Sequence, residues 1–85
     1  MNIQLRFFAS VREALGTAQE TIAVPAGVLT VGAVRAHLRG RGGVWAETLA
    51  EHRSLRMAYN QQMTGPDTRI DEGGEVAFFP PVTGG

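Results

Sequence analysis

The spacing of hydrophobic positions changes along this chain, and each change predicts an element. From Asn2 to Phe8 the pattern alternates, with Ile3, Leu5 and Phe7 on one side and Asn2, Gln4 and Arg6 on the other. A period of two over this length predicts a half-buried strand. Phe8 is the exception, an aromatic on the polar side. Ala9 to Leu15 reads as a short helical turn closed by Gly16, a residue type that caps helix ends. Glu20 to Val24 alternates again, with Ile22 and Val24 on one face, until Pro25-Ala26-Gly27 breaks it. Thr30 then suits a helix N-cap. Val31, Val34 and Leu38 follow at i, i+3, i+7, a one-sided stripe of helical period. Gly32 inside this helix weakens it by roughly 1 kcal/mol relative to alanine, and Gly40, Gly42 and Gly43 end it.

Val44 to Ala50 reads as a second helical turn with Trp45 and Leu49 on one face. Ser54 to Asn60 predicts a strand with Leu55, Met57 and Tyr59 inward. Gly65-Pro66-Asp67 is a turn, and Ile70 precedes another at Asp71-Glu72-Gly73-Gly74. Glu75 to Phe79 is the last strand, with Val76 and Phe78 inward and Ala77 and Phe79 outward. Pro80-Pro81 ends it, because proline has no N–H to donate to a ladder. The first two strands are expected to form a hairpin and the last to lie parallel beside the first. Strand, strand, helix, then strands predicts an α+β fold of the β-grasp (ubiquitin-like) type, a mixed sheet packed against one main helix. The expected division is a domain over 1–81 and a flexible Gly-Gly tail over 82–85.

Composition narrows the function. The 85 residues suffice for one small core. Eight acidic residues balance eight basic ones, which disfavours a general binder of nucleic acid or anionic membrane. No apolar run approaches the roughly 18 residues of a membrane span. The start MNIQLRFF lacks the layout of a secretion signal, so a cytoplasmic location is expected. Cysteine is absent, and so are disulfides, thiolate metal sites and a cysteine nucleophile. Lysine is absent too, so every basic residue is arginine and no side-chain amine is available for a Schiff base.

Enzyme signatures are missing. Gly40-Arg41-Gly42-Gly43 does not meet the spacing of a dinucleotide loop. His37 and His52 stand alone, and no metal site is expected. Glu47 and Glu51 lie one helical turn apart and read as a solvated face more readily than as an acid/base pair. Arg35, Arg39 and Arg41 form a local basic cluster, a solvated rim with a patch for an acidic partner as the alternative.

The C-terminus holds the sharpest signal. Pro80-Pro81 stiffens the exit from the last strand, and the final six residues can reach roughly 20 Å. Gly84-Gly85 makes a backbone thin enough for a narrow tunnel, ending in a carboxylate. Phe8 and Phe79 fall on the outward faces of strands expected to be neighbours, which predicts a docking patch, with Met63 as an extension.

These residues resemble the small subunit of molybdopterin synthase, the MoaD family. The most specific piece is the fifteen-residue ending from Asp71 to Gly85, DEGGEVAFFPPVTGG. Phe7-Phe8-Ala9, Val11-Arg12-Glu13, Gly16-Thr17, Thr30-Val31, Trp45 and Asn60-Gln61 support it, whereas Arg35 to Ala50 departs from the family pattern. The resemblance implies a sulfur carrier that is non-catalytic alone and completed by the large subunit. A MoeB-like adenylyltransferase related to ubiquitin-activating enzymes uses ATP to adenylate the Gly85 carboxylate, and a sulfur donor converts it to a thiocarboxylate. The tail Pro80, Pro81, Val82, Thr83, Gly84 and Gly85 enters the MoaE-like large subunit, where sulfur passes to cyclic pyranopterin monophosphate to build the molybdopterin dithiolene. Phe8, Met63 and Phe79 match interface positions, Met63 by its spacing from Asn60. The implied assembly is a heterotetramer of two small and two large subunits, and no cofactor is bound by this chain. A ubiquitin-like protein modifier, and a carrier for thiazole or tRNA thiolation, are the alternatives.

Overall fold

A computed structural model describes residues 1–81. It contains β1 (Asn2–Phe7), α1 (Ala9–Leu15), β2 (Gln19–Ala23), α2 (Val31–Arg39), α3 (Gly43–Thr48), β3 (Arg56–Tyr59), β4 (Gln62–Thr64) and β5 (Glu75–Phe79). The strands form one sheet in the order β2-β1-β5-β3-β4. β5 runs parallel to β1, with Leu5 against Val76 and Phe7 against Phe78, and the other neighbours are antiparallel. This is the expected α+β, ubiquitin-like β-grasp, with the parallel pair at its centre.

The alternation of β1 sets the core. Ile3, Leu5 and Phe7 are buried on the helix side of the sheet, beside Val76 and Phe78 of β5. The α2 stripe of Val31, Val34 and Leu38 closes over them. Phe7 stacks with Phe78, ring centroids 6.3 Å apart, and meets the edge of Trp45 at 5.6 Å. Leu49, just beyond α3, is fully buried in the same cluster. The helix layer is therefore wider than one helix, because α3 packs beside α2, and α1 packs against α3 and β5.

The helix ends follow from their local chemistry. Gly16 caps α1 with a left-handed φ of 73° and donates to the Arg12 carbonyl at 2.9 Å. The Thr30 side chain accepts from the Ala33 N–H at 3.1 Å, as an N-cap should. The other early donors of α2 reach the loop after β4: Val31 N–H to the Thr68 carbonyl at 2.9 Å, and Gly32 N–H to the Pro66 carbonyl at 2.8 Å. A Cβ on Gly32 would stand 2.8 Å from Pro66 Cβ and 3.0 Å from Pro66 O. The glycine that weakens the helix is thus the one that lets this loop dock.

Several expectations change in detail. The strand expected over Ser54 to Asn60 shortens to Arg56–Tyr59, and Leu55 packs half-buried on the core from outside it. The second helical turn starts one residue earlier, so Gly43 opens α3 rather than terminating α2. The first two strands do pair antiparallel, but their connection carries α1 in place of a tight turn. β4 has no counterpart in the sequence reading. Its hairpin turns through Asn60 and Gln61, both at positive φ (49° and 67°). Ala77, expected to face outward, does so, yet it is only 4% exposed because β5 is a central strand with neighbours on both sides.

Candidate docking face and tail root

The outward side of the sheet is built by the register. Arg6 of β1 stands beside Ala77 of β5, Ala77 beside Ala58 of β3, and Ala58 beside Met63 of β4. One step along, Phe8 follows Arg6 and Phe79 lies opposite Arg56. Phe8, Phe79, Ala77, Ala58 and Met63 therefore share one face, the side away from the helices. The two alanines make a shallow floor between the aromatic pair and the methionine.

The sequence reading put the three larger residues in one patch, and the structure brings them to one face. Phe8 is 41% exposed and Met63 58% exposed. Phe79 is half-buried rather than open, because Phe8 sets its ring edge-on against it, centroids 6.3 Å apart and planes at 85°. Phe8 caps the start of α1 without a side-chain bond, and Ala9 next to it adopts φ 52°. A non-glycine residue in that region is strained by roughly 1–2 kcal/mol, and this turn projects Phe8 outward instead of letting β1 run on.

Phe8, Phe79, Ala58 and Ala77 line a cleft of about 580 Å³ that also includes Ala9, Gln61, Glu75, Pro80 and Pro81, with Met63 outside it. Pro80 is half-buried and Pro81 exposed. Both prolines also border a second cleft of about 500 Å³ on the other flank, between α1 and α3, with Val44, Leu55, Glu47 and Arg53. Pro80 and Pro81 thus form a ridge between two grooves, one mostly apolar and one mixed. Val82, Thr83, Gly84 and Gly85 lie outside the described residues.

The charged candidates are placed differently from the patch. Arg35 donates to the Leu49 carbonyl at 2.8 Å, to the Arg53 carbonyl at 3.0 Å and to the Ala50 carbonyl, closing the loop after α3. Burial, with Arg39 nearby, lowers its pKa below the usual guanidinium range. Arg39 meets Glu51 at 3.4 Å. Arg41 grips Glu20 with two hydrogen bonds of 3.0 and 2.6 Å and lies 4.4 Å over the Trp45 ring. That grip holds the Glu20 carboxyl below its ordinary value and raises Arg41. The basic cluster is therefore bound up within the molecule. Glu47 and Glu51 do not act together either, since Glu47 faces Arg53 at 3.8 Å. His37 and His52 are exposed. Among the described residues no three His, Cys, Asp or Glu gather as metal ligands, and no helix is long and apolar enough to cross a membrane.

Sequence reasoning missed the alanine floor and the two arginines on this face, Arg6 and Arg56. Ala58 was obscured by its small size, and the arginines read as ordinary polar positions in alternating strands.

Comparison with known proteins identifies the family and the fold. The model of the ThiS family matches residues 5–85. The molybdopterin synthase sulfur carrier subunit of Escherichia coli (strain K12) is 45% identical over 83 residues, covering 98% of this chain and 99% of that one. The solution structure of the Haloferax volcanii HVO 2177 protein superposes with a TM-score of 0.78 at 30% identity, covering all of this chain and 87% of the other. A complex of subunits 1 and 2 of the molybdopterin-converting factor from Helicobacter pylori 26695 contains a chain with the same fold. Its TM-score is 0.65 at 23% identity, with full coverage of both chains. Matched by the family model over nearly its whole length and by a curated carrier subunit at this identity, the chain belongs to the ThiS family, among the molybdopterin synthase sulfur carrier subunits.

Proposed function

We propose that this chain carries sulfur on the carboxylate of Gly85 and delivers it inside a large synthase subunit that docks on the Phe8, Phe79 and Met63 face. One observation carries the reading. The last strand ends at Phe79, within the apolar face, so the residues that follow start beside the surface a partner would cover.

The chemistry begins with a poor electrophile. A carboxylate oxygen leaves badly, and joining it to AMP supplies a leaving group. In the proposed sequence a MoeB-like adenylyltransferase transfers AMP from ATP to Gly85 and releases pyrophosphate. A sulfur nucleophile then displaces AMP and leaves a thiocarboxylate. ATP belongs to that partner, and this chain binds no cofactor. The thiocarboxylate is ionised at neutral pH, and its sulfur is soft and nucleophilic. The sulfur attacks cyclic pyranopterin monophosphate, water cleaves the acyl–sulfur bond and returns Gly85 to a carboxylate, and two such deliveries furnish the two sulfurs of the molybdopterin dithiolene. The scaffold takes no part in bond making: it displays the tail and supplies the docking face. Pro80 and Pro81 aim the chain, and Val82, Thr83 and Gly84 are the segment that lines the partner's tunnel, with glycine at the narrowest point. The complete synthase is proposed as two small and two large subunits.

The test is an intact-mass measurement after incubation with the activating enzyme, ATP and a sulfur donor. The expected result is a gain of one sulfur-for-oxygen exchange at the C-terminus. A chain lacking Gly85 is expected to show no gain and no dithiolene synthesis while melting like the parent. An unchanged mass of the parent chain, under conditions where a control carrier reacts, rejects the reading.

A further inference from the structure

Six of the eight arginines fall into two groups; Arg12, in α1, and Arg69, in the loop after β4, are exposed and stand apart from both. Arg35, Arg39, Arg41 and Arg53 each reach an acceptor on their own chain. Arg6 and Arg56, both on the outward face of the sheet, do not reach one well. The Arg6 guanidinium lies 5.5 Å over the Phe8 ring, and its NH1 comes only to 4.0 Å from Glu75. Its Nε is buried without a hydrogen-bond partner, although the side chain as a whole is 40% exposed. Arg56 is exposed opposite Phe79 and forms no ion pair among the described residues.

These two cations bracket the aromatic pair. Arg6 is held over Phe8 on one side, and Arg56 stands beside Phe79 on the other. Glu75 is the one carboxylate at an outward strand position among the described residues, and it neutralises at most one of them. The chain is neutral as a whole, yet this face has an excess of positive charge around an apolar centre. An apolar centre with a charged rim is the usual anatomy of a protein interface. Covering Phe8 and Phe79 would also strip water from both guanidinium groups, and a cation so desolvated needs acceptors.

We propose that Arg6 and Arg56 are steering and specificity residues of the docking face, and that they meet carboxylates on the rim of the large synthase subunit. The inference rests on the docking reading given above and adds to it the charge of the partner's surface. Rim charges act mainly on the rate of encounter, while the apolar centre sets the lifetime of the complex. Partners whose rim is basic are turned away by the same two residues.

The test uses the full chain and the purified large subunit, with association and dissociation followed at low and high salt. Arg56→Glu and Arg6→Gln together are expected to slow association at low salt by roughly tenfold or more. Dissociation should change by less than about threefold. The salt dependence of the parent should flatten in the double variant. Arg56 is exposed, so Arg56→Glu alone decides the matter if replacement of Arg6 disturbs folding. Unchanged association rates, or faster association on charge reversal, overturn the proposal. Phe79→Ala separates the two ideas. If it weakens binding while the arginine variants do nothing, the docking reading stands and the charge assignment falls. If Phe79→Ala has no effect on binding, both fall.

Discussion

The two faces of the sheet are made by the same strands, and they differ in what covers them. On the helix side Phe7 and Phe78 stack beneath Trp45, and the α2 stripe seals the row. On the other side Phe8 and Phe79 form an equally close aromatic pair that no element among the described residues covers. The inner pair is explained by stability alone, since burying such rings supplies much of what folds a domain of this size. The outer pair gives the lone chain little of that. Its exposure is a standing cost in solubility, and a partner that covers it removes the cost. Adjacent residues thus meet two different surroundings, and cover distinguishes them.

The sharpest way to break this comparison is to shave one ring from each face. Phe78→Ala should destabilise the fold by about 3–5 kcal/mol, because a cavity is left in a packed core. Phe79→Ala should cost no more than about 1–2 kcal/mol of stability, as expected for a partly covered ring. It should weaken binding of the large subunit by about 2 kcal/mol or more, roughly thirtyfold, if the ring anchors the docking face. Denaturant titrations and calorimetry of binding measure both quantities. A similar loss of stability from the two variants would show that Phe79 belongs to the core and would undo the distinction.

A second change tests how the helix layer is fitted to the sheet. By helix propensity alone Gly32→Ala gains roughly 1 kcal/mol. The structure predicts the opposite sign, a loss of about 1–2 kcal/mol, because the new methyl would collide with Pro66 and overpacking costs that much or more. The proposed docking face lies on the other side of the sheet, so affinity for the large subunit measured on the folded variant should not move. A stabilised Gly32→Ala protein would mean that the 65–68 loop yields easily.

The smallest expected effect concerns the rim of the helix layer, where Arg41 ties Glu20 of β2 to the Trp45 ring. Arg41 lowers the Glu20 pKa in the folded chain, and unfolding restores the ordinary value near 4.5. A depressed carboxyl stabilises the fold above its unfolded pKa, and that contribution is lost as pH falls through the folded value. Glu20→Gln should therefore cost under about 1 kcal/mol at neutral pH, as exposed pairs do. The difference from the parent should begin to shrink as pH falls through 4.5 and vanish once Glu20 is protonated in the folded chain as well. A difference that persists or grows in acid would place the contribution elsewhere than in the ion pair.

Most of the fold was legible because period and punctuation agree. The alternation of β1 and β5, the stripe of α2 with its Thr30 cap and the Gly16 stop of α1 appear in the structure where the sequence placed them. β4 was not legible. Three residues carry no period, and a turn through Asn60 and Gln61 lacks the glycine that marks left-handed hairpin turns. The candidate face was half legible. Phe8 and Phe79 stood out as aromatics out of phase, whereas the floor of Ala58 and Ala77 exists only once β3 and β5 pair.

The local order of residues determined which segments are strands, which is the main helix, and which aromatics fall out of phase. Those properties depend on neighbours three or four positions away at most. Only the tertiary structure decided which arginines are engaged, why Gly32 must stay small, and that Ala58 and Ala77 form a floor between Met63 and the aromatic pair. Those facts depend on contacts between residues far apart in the chain, and a sheet register brings such residues together without leaving a mark on either segment alone.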